Sequence, residues 1–168
     1  TELYRRVLGD RLPPDARAHS TVGEARRFPL GIASEGVEDV VRDPLYIDEV
    51  AGSITCLSDV PQHSVMHILQ GRESRLLNVV NIAVADLIAL SADANVEHPV
   101  ALVFDCMSRA KALGDCLPEE FERLRRDLRA DFHDCEIGGA LGLGEIGCDG
   151  SRRPELHNKS LSLGLFYA

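Results

Sequence analysis

The sequence predicts an α+β fold in which a mainly antiparallel β-sheet packs against helices, an α/β sandwich in layer terms. Three features carry this expectation. Between Leu30 and Val65, short runs of valine, isoleucine and leucine are divided by Gly31, Gly36, Asp43-Pro44, Gly52 and Pro61, the spacing of an antiparallel meander. Helical periodicity replaces it over Glu73–Ala92 and again over Asp115–Arg129. Strand character then returns over Glu136–Ile146 and Leu161–Phe166, so strands open, interrupt and close the fold, and a strict βαβ alternation is not expected.

Each element has a local cause. Glu2 to Leu8 makes a short helix ending at Gly9, and Pro13-Pro14, Gly23 and Pro29 then punctuate a loop that covers part of the fold. Strands are expected at Leu30–Ser34, Val37–Arg42, Leu45–Ile47, Ser53–Leu57 and Ser64–Gln70. In Glu73–Ala92, one face carries Leu76, Val80, Ala83, Val84 and Leu87. Leu77, Val79, Ile82, Ile88 and Leu90 extend apolar character around the cylinder, which predicts a heavily buried helix. Val100–Cys106 is a nearly continuous apolar run, expected to be a central strand buried on both faces. The second helix has Pro118 in its first turn. Glu119, Glu120 and Glu122 lie near its positive end, Arg125, Arg126 and Arg129 near its negative end, and Leu117, Phe121, Leu124 and Leu128 form an apolar stripe. His157-Asn158-Lys159 falls in the loop between the last two strands.

Composition narrows the function classes. With 27 acidic and 18 basic residues the net charge is −9, a field that repels phosphate backbones, so no nucleic-acid partner is expected. The longest apolar stretch, Leu76–Leu90, is interrupted by Asn78, Asn81 and Asp86 and is too short to span a bilayer, so no membrane association is expected. Five cysteines without a CxxC pair argue against a disulfide framework or a sulfur-rich zinc site and for reduced thiols in a cytoplasmic setting. The chain opens Thr1-Glu2-Leu3-Tyr4 with no methionine or signal pattern, which reads as one domain, residues 1–168, taken from a longer protein with a domain upstream. The sequon Asn158-Lys159-Ser160 is read as incidental.

Several constellations invite chemistry. Gly142-Leu143-Gly144-Glu145-Ile146-Gly147 satisfies GxGxxG, but no helix can open at the following Cys148-Asp149-Gly150, so a dinucleotide site lacks its context. Asp105-Cys106-Met107-Ser108-Arg109 follows the apolar strand and precedes a helical segment. A thiol beside a guanidinium can become a thiolate nucleophile, although free cysteine is more often a buried packing residue. His63 with His67, and His133 with Cys135, have spacings that suit metal donors, yet no third and fourth ligands accompany them. His157 is the histidine best placed to face a pocket or to hold a haem iron. Without a GxSxG, SxxK, HExxH or GxxxxGK[ST] pattern, the chain reads as a ligand-binding module and not as an enzyme.

The order of motifs resembles the C-terminal half of FIST domains, intracellular sensory modules. The resemblance runs from Leu3-Tyr4 through Pro29-Leu30-Gly31-Ile32, Val41-Arg42-Asp43-Pro44-Leu45, Gly52-Ser53-Ile54 and Asp59-Val60-Pro61. It is strongest at Val103-Phe104-Asp105-Cys106-Met107-Ser108-Arg109 with Leu113-Gly114, and continues through Glu119-Glu120, Gly144-Glu145-Ile146-Gly147 and Leu156-His157-Asn158-Lys159-Ser160. It implies a signal-transduction domain preceded by a FIST N-terminal half and linked to a signalling output protein, binding a small molecule such as an amino acid or related metabolite. It also admits a haem-binding nitric-oxide sensor, and a substrate-recognition module like the eukaryotic branch of the family. Lys159 stands where threonine or glutamine is expected.

The candidate ligand site combines these signals. Arg109 would hold a ligand carboxylate, Glu145 would receive an ammonium, and His157 or Asn158 would close the rim, with Cys106 and Ser108 on the same strand-to-helix segment. The structural alternative is that Arg109 and Glu145 pair with each other or with the N-terminal half. No cofactor is expected, haem being the alternative, and a Cys106-dependent enzyme is the remaining one.

Overall fold

Alternating β-branched residues and turn residues do make strands where the sequence places them, as a computed structural model of the chain shows. It describes residues 2–9, 27–33, 39–48, 50–147 and 154–168. Contacts divide the chain into two compact units, Thr1–Gly71 with Leu156–Asn158, and Arg72–Glu155 with Lys159–Ala168.

The first unit contains α1 (Glu2–Leu8), β1 (Leu30–Ile32), β2 (Val40–Arg42), β3 (Pro44–Asp48), β4 (Ser53–Cys56) and β5 (Met66–Ile68). β1 is central, antiparallel to both neighbours, with Leu30 opposite Arg42 on β2 and Ile68 on β5. β3 and β4 form an antiparallel pair with a register shift between Pro44 and Tyr46. Asp48 shapes the connection, its Oδ1 accepting from the amides of Val50 at 2.9 Å and Ala51 at 2.8 Å, as aspartate does in tight turns. Leu8, Phe28 and Leu30 form a small core with Ile47, Ile54 and Ile68 packed against it. The expected Pro13-Pro14 loop lies outside the described residues.

The second unit contains α2 (Glu73–Leu90), β6 (Val100–Cys106), α3 (Met107–Leu113), a 3-10 turn at Gly114–Cys116, α4 (Leu117–Asp131), β7 (Glu136–Gly142), β8 (Glu145–Gly147) and β10 (Leu161–Phe166); β9 (Glu155–His157), which precedes β10 in the chain, has Leu156 and His157 in the first unit. β6 lies between β10 and β7. It is antiparallel to β10, with Asp105 opposite Leu161, and parallel to β7, with Asp105 opposite Leu141. This pair is parallel where β1–β2, β1–β5, β3–β4 and β6–β10 are antiparallel, and the α3–α4 segment supplies the long connection that parallel strands require. The α+β expectation therefore holds, with helices and several antiparallel pairings in one chain.

Three expectations are corrected in detail. β6 is central in its sheet but buried on one face only. Ala101, Val103 and Asp105 point inward, while Phe104 is 47% exposed, because α2 and α4 pack on the same core against one side of the sheet. For the same reason α2 buries a single stripe, Leu77, Val80, Val84 and Leu87, and leaves Ile82 and Leu90 exposed. The single strand expected over Glu136–Ile146 is broken at Leu143-Gly144, where Gly144 takes φ 153°, a conformation that L side chains rarely adopt. The shared core joins Val80 and Val84 of α2, Ala101 and Val103 of β6, and Leu124 and Leu128 of α4.

The glycines of β7 are not equivalent. A Cβ built on Gly139 would lie 1.9 Å from the Val103 carbonyl oxygen, whereas one on Gly138 meets nothing closer than Leu102 Cδ2 at 3.8 Å. Gly139→Ala is therefore expected to destabilise the chain by about 2 kcal/mol or more through displacement of β7 from β6, and Gly138→Ala to change stability by less than about 1 kcal/mol. Chemical denaturation of both variants checks the contrast; equal stabilities would refute the close approach at Gly139.

Candidate functional site

β6 runs directly into α3, so the strand end and the first helical turn carry Asp105, Cys106, Ser108 and Arg109 in close succession. Arg109 is 1% exposed. Its Nε donates to Glu120 Oε1 at 2.9 Å, and its terminal nitrogen donates to the same oxygen and to the Leu76 carbonyl at 2.5 Å. The guanidinium thus joins α3, the first turn of α4 and the start of α2. Glu120, wholly buried, is its carboxylate partner in place of Glu145.

Asp105 is left without a comparable share. It is 1% exposed, its Oδ1 is 3.5 Å from Arg109 Nε, and neither of its oxygens has a hydrogen-bond partner among the described residues. Burial pushes its carboxyl up to about 7, the Glu120 and Glu145 carboxylates push the same way, and Arg109 opposes them. The adjacent Cys106 amide also favours the charged form, but its hydrogen bond goes to the Ser160 carbonyl at 3.1 Å.

The remaining expected site residues fall into two groups. In the second unit, Cys106 is fully buried with Sγ 3.1 Å from Ser108 Oγ. Glu145 accepts from the Ser160 hydroxyl in a short contact, and Lys159 Nζ donates to the Ser108 carbonyl at 3.3 Å. The structure therefore brings Cys106, Ser108, Arg109 and Glu145 into one unit. His157 and Asn158 belong to the other, where His157 is half-buried in β9 and not in a loop, because Glu155–His157 continues as strand. Asn158 is buried and its Oδ1 accepts from the Asp43 amide at 3.1 Å. Beside it Arg42 donates to the carbonyls of Asp59 and Leu156, each at 2.8 Å, so these motif residues lock backbone segments together.

Other sequence candidates acquire a context. Gly142–Gly147 connects two strands, not a strand and a helix, which removes the dinucleotide-site geometry. Among the described residues, no three His, Cys, Asp or Glu side chains gather in metal-ligand geometry. His67 Nδ1 instead lies 2.7 Å from Asp39 Oδ2.

A cavity of about 510 Å3 opens between α4 and the β6–β7 pair. Val103 and Asp105 form its floor, Phe121 and Arg125 one wall, and Ile137 and Leu141 the other. Phe121 and Leu141 keep more than two-fifths of their surface exposed, so each wall offers an accessible apolar side chain. Asp105 and Glu120 were named from sequence only within the Asp105–Arg109 segment and the acids of the second helix, and neither was placed in the candidate ligand site. The available signals were an acid inside the run Val-Ala-Leu-Val-Phe-Asp-Cys and an acid one helical turn before Leu124 on the apolar stripe.

The buried ion pair and the unmatched acid make opposite predictions. Arg109→Met should cost about 3–5 kcal/mol, because it strands Glu120 uncompensated, and adding Glu120→Leu should recover most of that loss. Urea denaturation of the single and double variants measures this. For Asp105 the folded-state value of about 7 lies above the unfolded 3.8, so its contribution is fully present below about pH 3.8 and is lost as pH rises through about 7. Asp105→Asn should remove a stability loss on the order of a few kcal/mol over that window. Parallel pH–stability curves for wild type and Asp105→Asn would contradict it.

A model of the FIST C domain family matches residues 1–148. No curated protein and no solved structure matches the chain. Among the described residues no helix is long and apolar enough to cross a membrane. The match covers most of the chain and takes in the Asp105–Arg109 segment, Glu120 and both walls of the cavity, and the chain belongs to the FIST C domain family.

Proposed function

We propose that this FIST C domain is a small-ligand-binding sensory module of a signal-transduction protein and that its ligand occupies the cavity between α4 and the β6–β7 pair. The observation that carries the reading is the cavity itself. Its volume of about 510 Å3 suits a metabolite, its walls combine apolar side chains with charged groups of α4, and a buried carboxyl without a hydrogen-bond partner among the described residues lies at its floor. Amino acids or related metabolites are the ligand class, and a FIST N-terminal half and an output protein are the partners. No turnover is assigned. Cys106 Sγ is buried against Ser108 Oγ, a position for packing more than for attack on a substrate.

The test is a thermal-shift screen of small metabolites on the chain. A ligand bound only by the native state adds RT ln(1 + [L]/Kd), about 2.7 kcal/mol at a hundred times Kd. Phe121→Ala should weaken any such ligand by about fivefold by removing part of one wall. A ligand whose affinity is unchanged by Phe121→Ala, by Arg125→Ala and by Leu141→Ala would place the binding site elsewhere.

A further inference from the structure

We propose that the α4/β6–β7 cavity is an ammonium site: it takes a ligand whose protonated amine reaches the Asp105 carboxylate and whose short apolar body lies along Phe121 and Leu141. This rests on the reading of the cavity as the ligand site and adds the chemistry of the group that enters it. The expectation from sequence placed a ligand carboxylate on Arg109 and a ligand ammonium on Glu145; the acid at the cavity floor is instead Asp105.

The floor of the cavity favours a cation. Asp105 projects from the inward face of β6, is 1% exposed, and presents two oxygens without hydrogen-bond partners among the described residues. Leaving a buried carboxylate unmet is costly, and native structures seldom tolerate it without a reason. Arg109 meets the need only in part: its Nε lies 3.5 Å from Asp105 Oδ1, while its hydrogen bonds go to Glu120 Oε1 and the Leu76 carbonyl. The groups acting on Asp105 are Arg109 from α3, Glu120 from α4 and Glu145 from β8. Glu120 and Glu145 act on Asp105 with like charge and Arg109 with opposite charge, and a ligand ammonium supplies further opposite charge together with three donors.

Other ligand chemistries fit less well. A carboxylate approaching the floor would meet like charge. A neutral hydroxyl would satisfy one lone pair and leave the charge imbalance. The remaining charged groups lining the cavity are Glu122, Arg125 and Arg129 on α4. Arg125 is held by Glu122 at 2.5 Å and Arg129 Nε donates to the Cys135 carbonyl at 3.4 Å, so both guanidinia have partners within the protein. The competitor for the Asp105 lone pairs is a proton, which gives the site a pH signature: ammonium affinity rises as Asp105 loses its proton.

The experiment compares n-butylammonium chloride, sodium butyrate and 1-butanol on the full chain at matched ionic strength, by calorimetry and thermal shift, at about pH 6 and about pH 8. Butylammonium alone should bind saturably, more tightly at the higher pH, and Asp105→Asn should lower its affinity by about tenfold or more. On wild-type protein, amide chemical-shift changes on titration should centre on Asp105, Phe121 and Leu141, a readout that does not depend on the variant folding. The proposal is overturned if butyrate or butanol binds as well as butylammonium, if butylammonium does not bind, or if Asp105→Asn keeps full affinity. Butyrate binding that is lost in Phe121→Ala would keep the cavity as the ligand site while removing the ammonium assignment. Butylammonium, butyrate and butanol all failing, together with metabolite binding indifferent to the wall variants, would remove both.

Discussion

The buried pairing of Arg109 with Glu120 organises the second unit. A guanidinium with 1% exposure and a carboxylate with none are expensive to take out of water, and they persist because their hydrogen bonds are made to each other and to the Leu76 carbonyl. That geometry fixes α3 against the start of α4 and against α2, and so sets where α4 lies over the sheet. It also consumes the charge that Asp105 would otherwise have used. The acid at the end of β6 is left with an unmet carboxyl because its nearest cation is committed to a better-placed partner.

Layering places this imbalance at the floor of a cavity. The helices α2 and α4 cover one face of the β10–β6–β7 sheet, and the alternation of β6 puts Ala101, Val103 and Asp105 on that covered face. Leu124 and Leu128 of α4 complete the core, while Phe121 stands further out and walls the cavity with Leu141 of β7. Small residues along β7 allow the close approach that Gly139 requires, and they also leave the cavity wall low. This FIST C domain therefore has an accessible cleft with Phe121 and Leu141 on its sides, charged groups of α4 along one wall and an acid at its floor.

Much of the fold was legible in the sequence because it rests on short-range signals. Valine and isoleucine runs cut by Asp43-Pro44, Gly52 and Pro61 mark β2 to β5, and Pro118 with its flanking acids marks the start of α4. Whether one or both faces of β6 are covered was not legible, since an apolar run does not say how many layers pack on it. The parallel pairing of β6 with β7 likewise depends on a long-range crossover. The site was legible only in part. The segment Asp105–Arg109 stood out, but the partner of Arg109 sits eleven residues on, in a helix whose acids read as dipole-complementing surface charge. Glu120 is buried because the 3-10 turn at Gly114–Cys116 delays the start of α4 to Leu117 and presents that position inward. His157 and Asn158 looked like a pocket rim because a polar triplet between strands resembles a loop; they lie in β9 and at its end, and the Asn158 side chain binds the backbone of Asp43.

The most direct measurement is a carboxyl-carbon NMR titration of Asp105 in the free protein, repeated in Glu120→Gln. The account predicts a midpoint of about 7 in the wild type, since burial leads the shift and Glu120 adds to it. In Glu120→Gln the midpoint should fall, because a repelling carboxylate is gone and Arg109 is released to turn toward Asp105. An Asp105 that titrates near the ordinary value of about 3.9 in the wild type, and does not move in Glu120→Gln, would show that Arg109 already neutralises it and that the cavity floor is not an unmet acid.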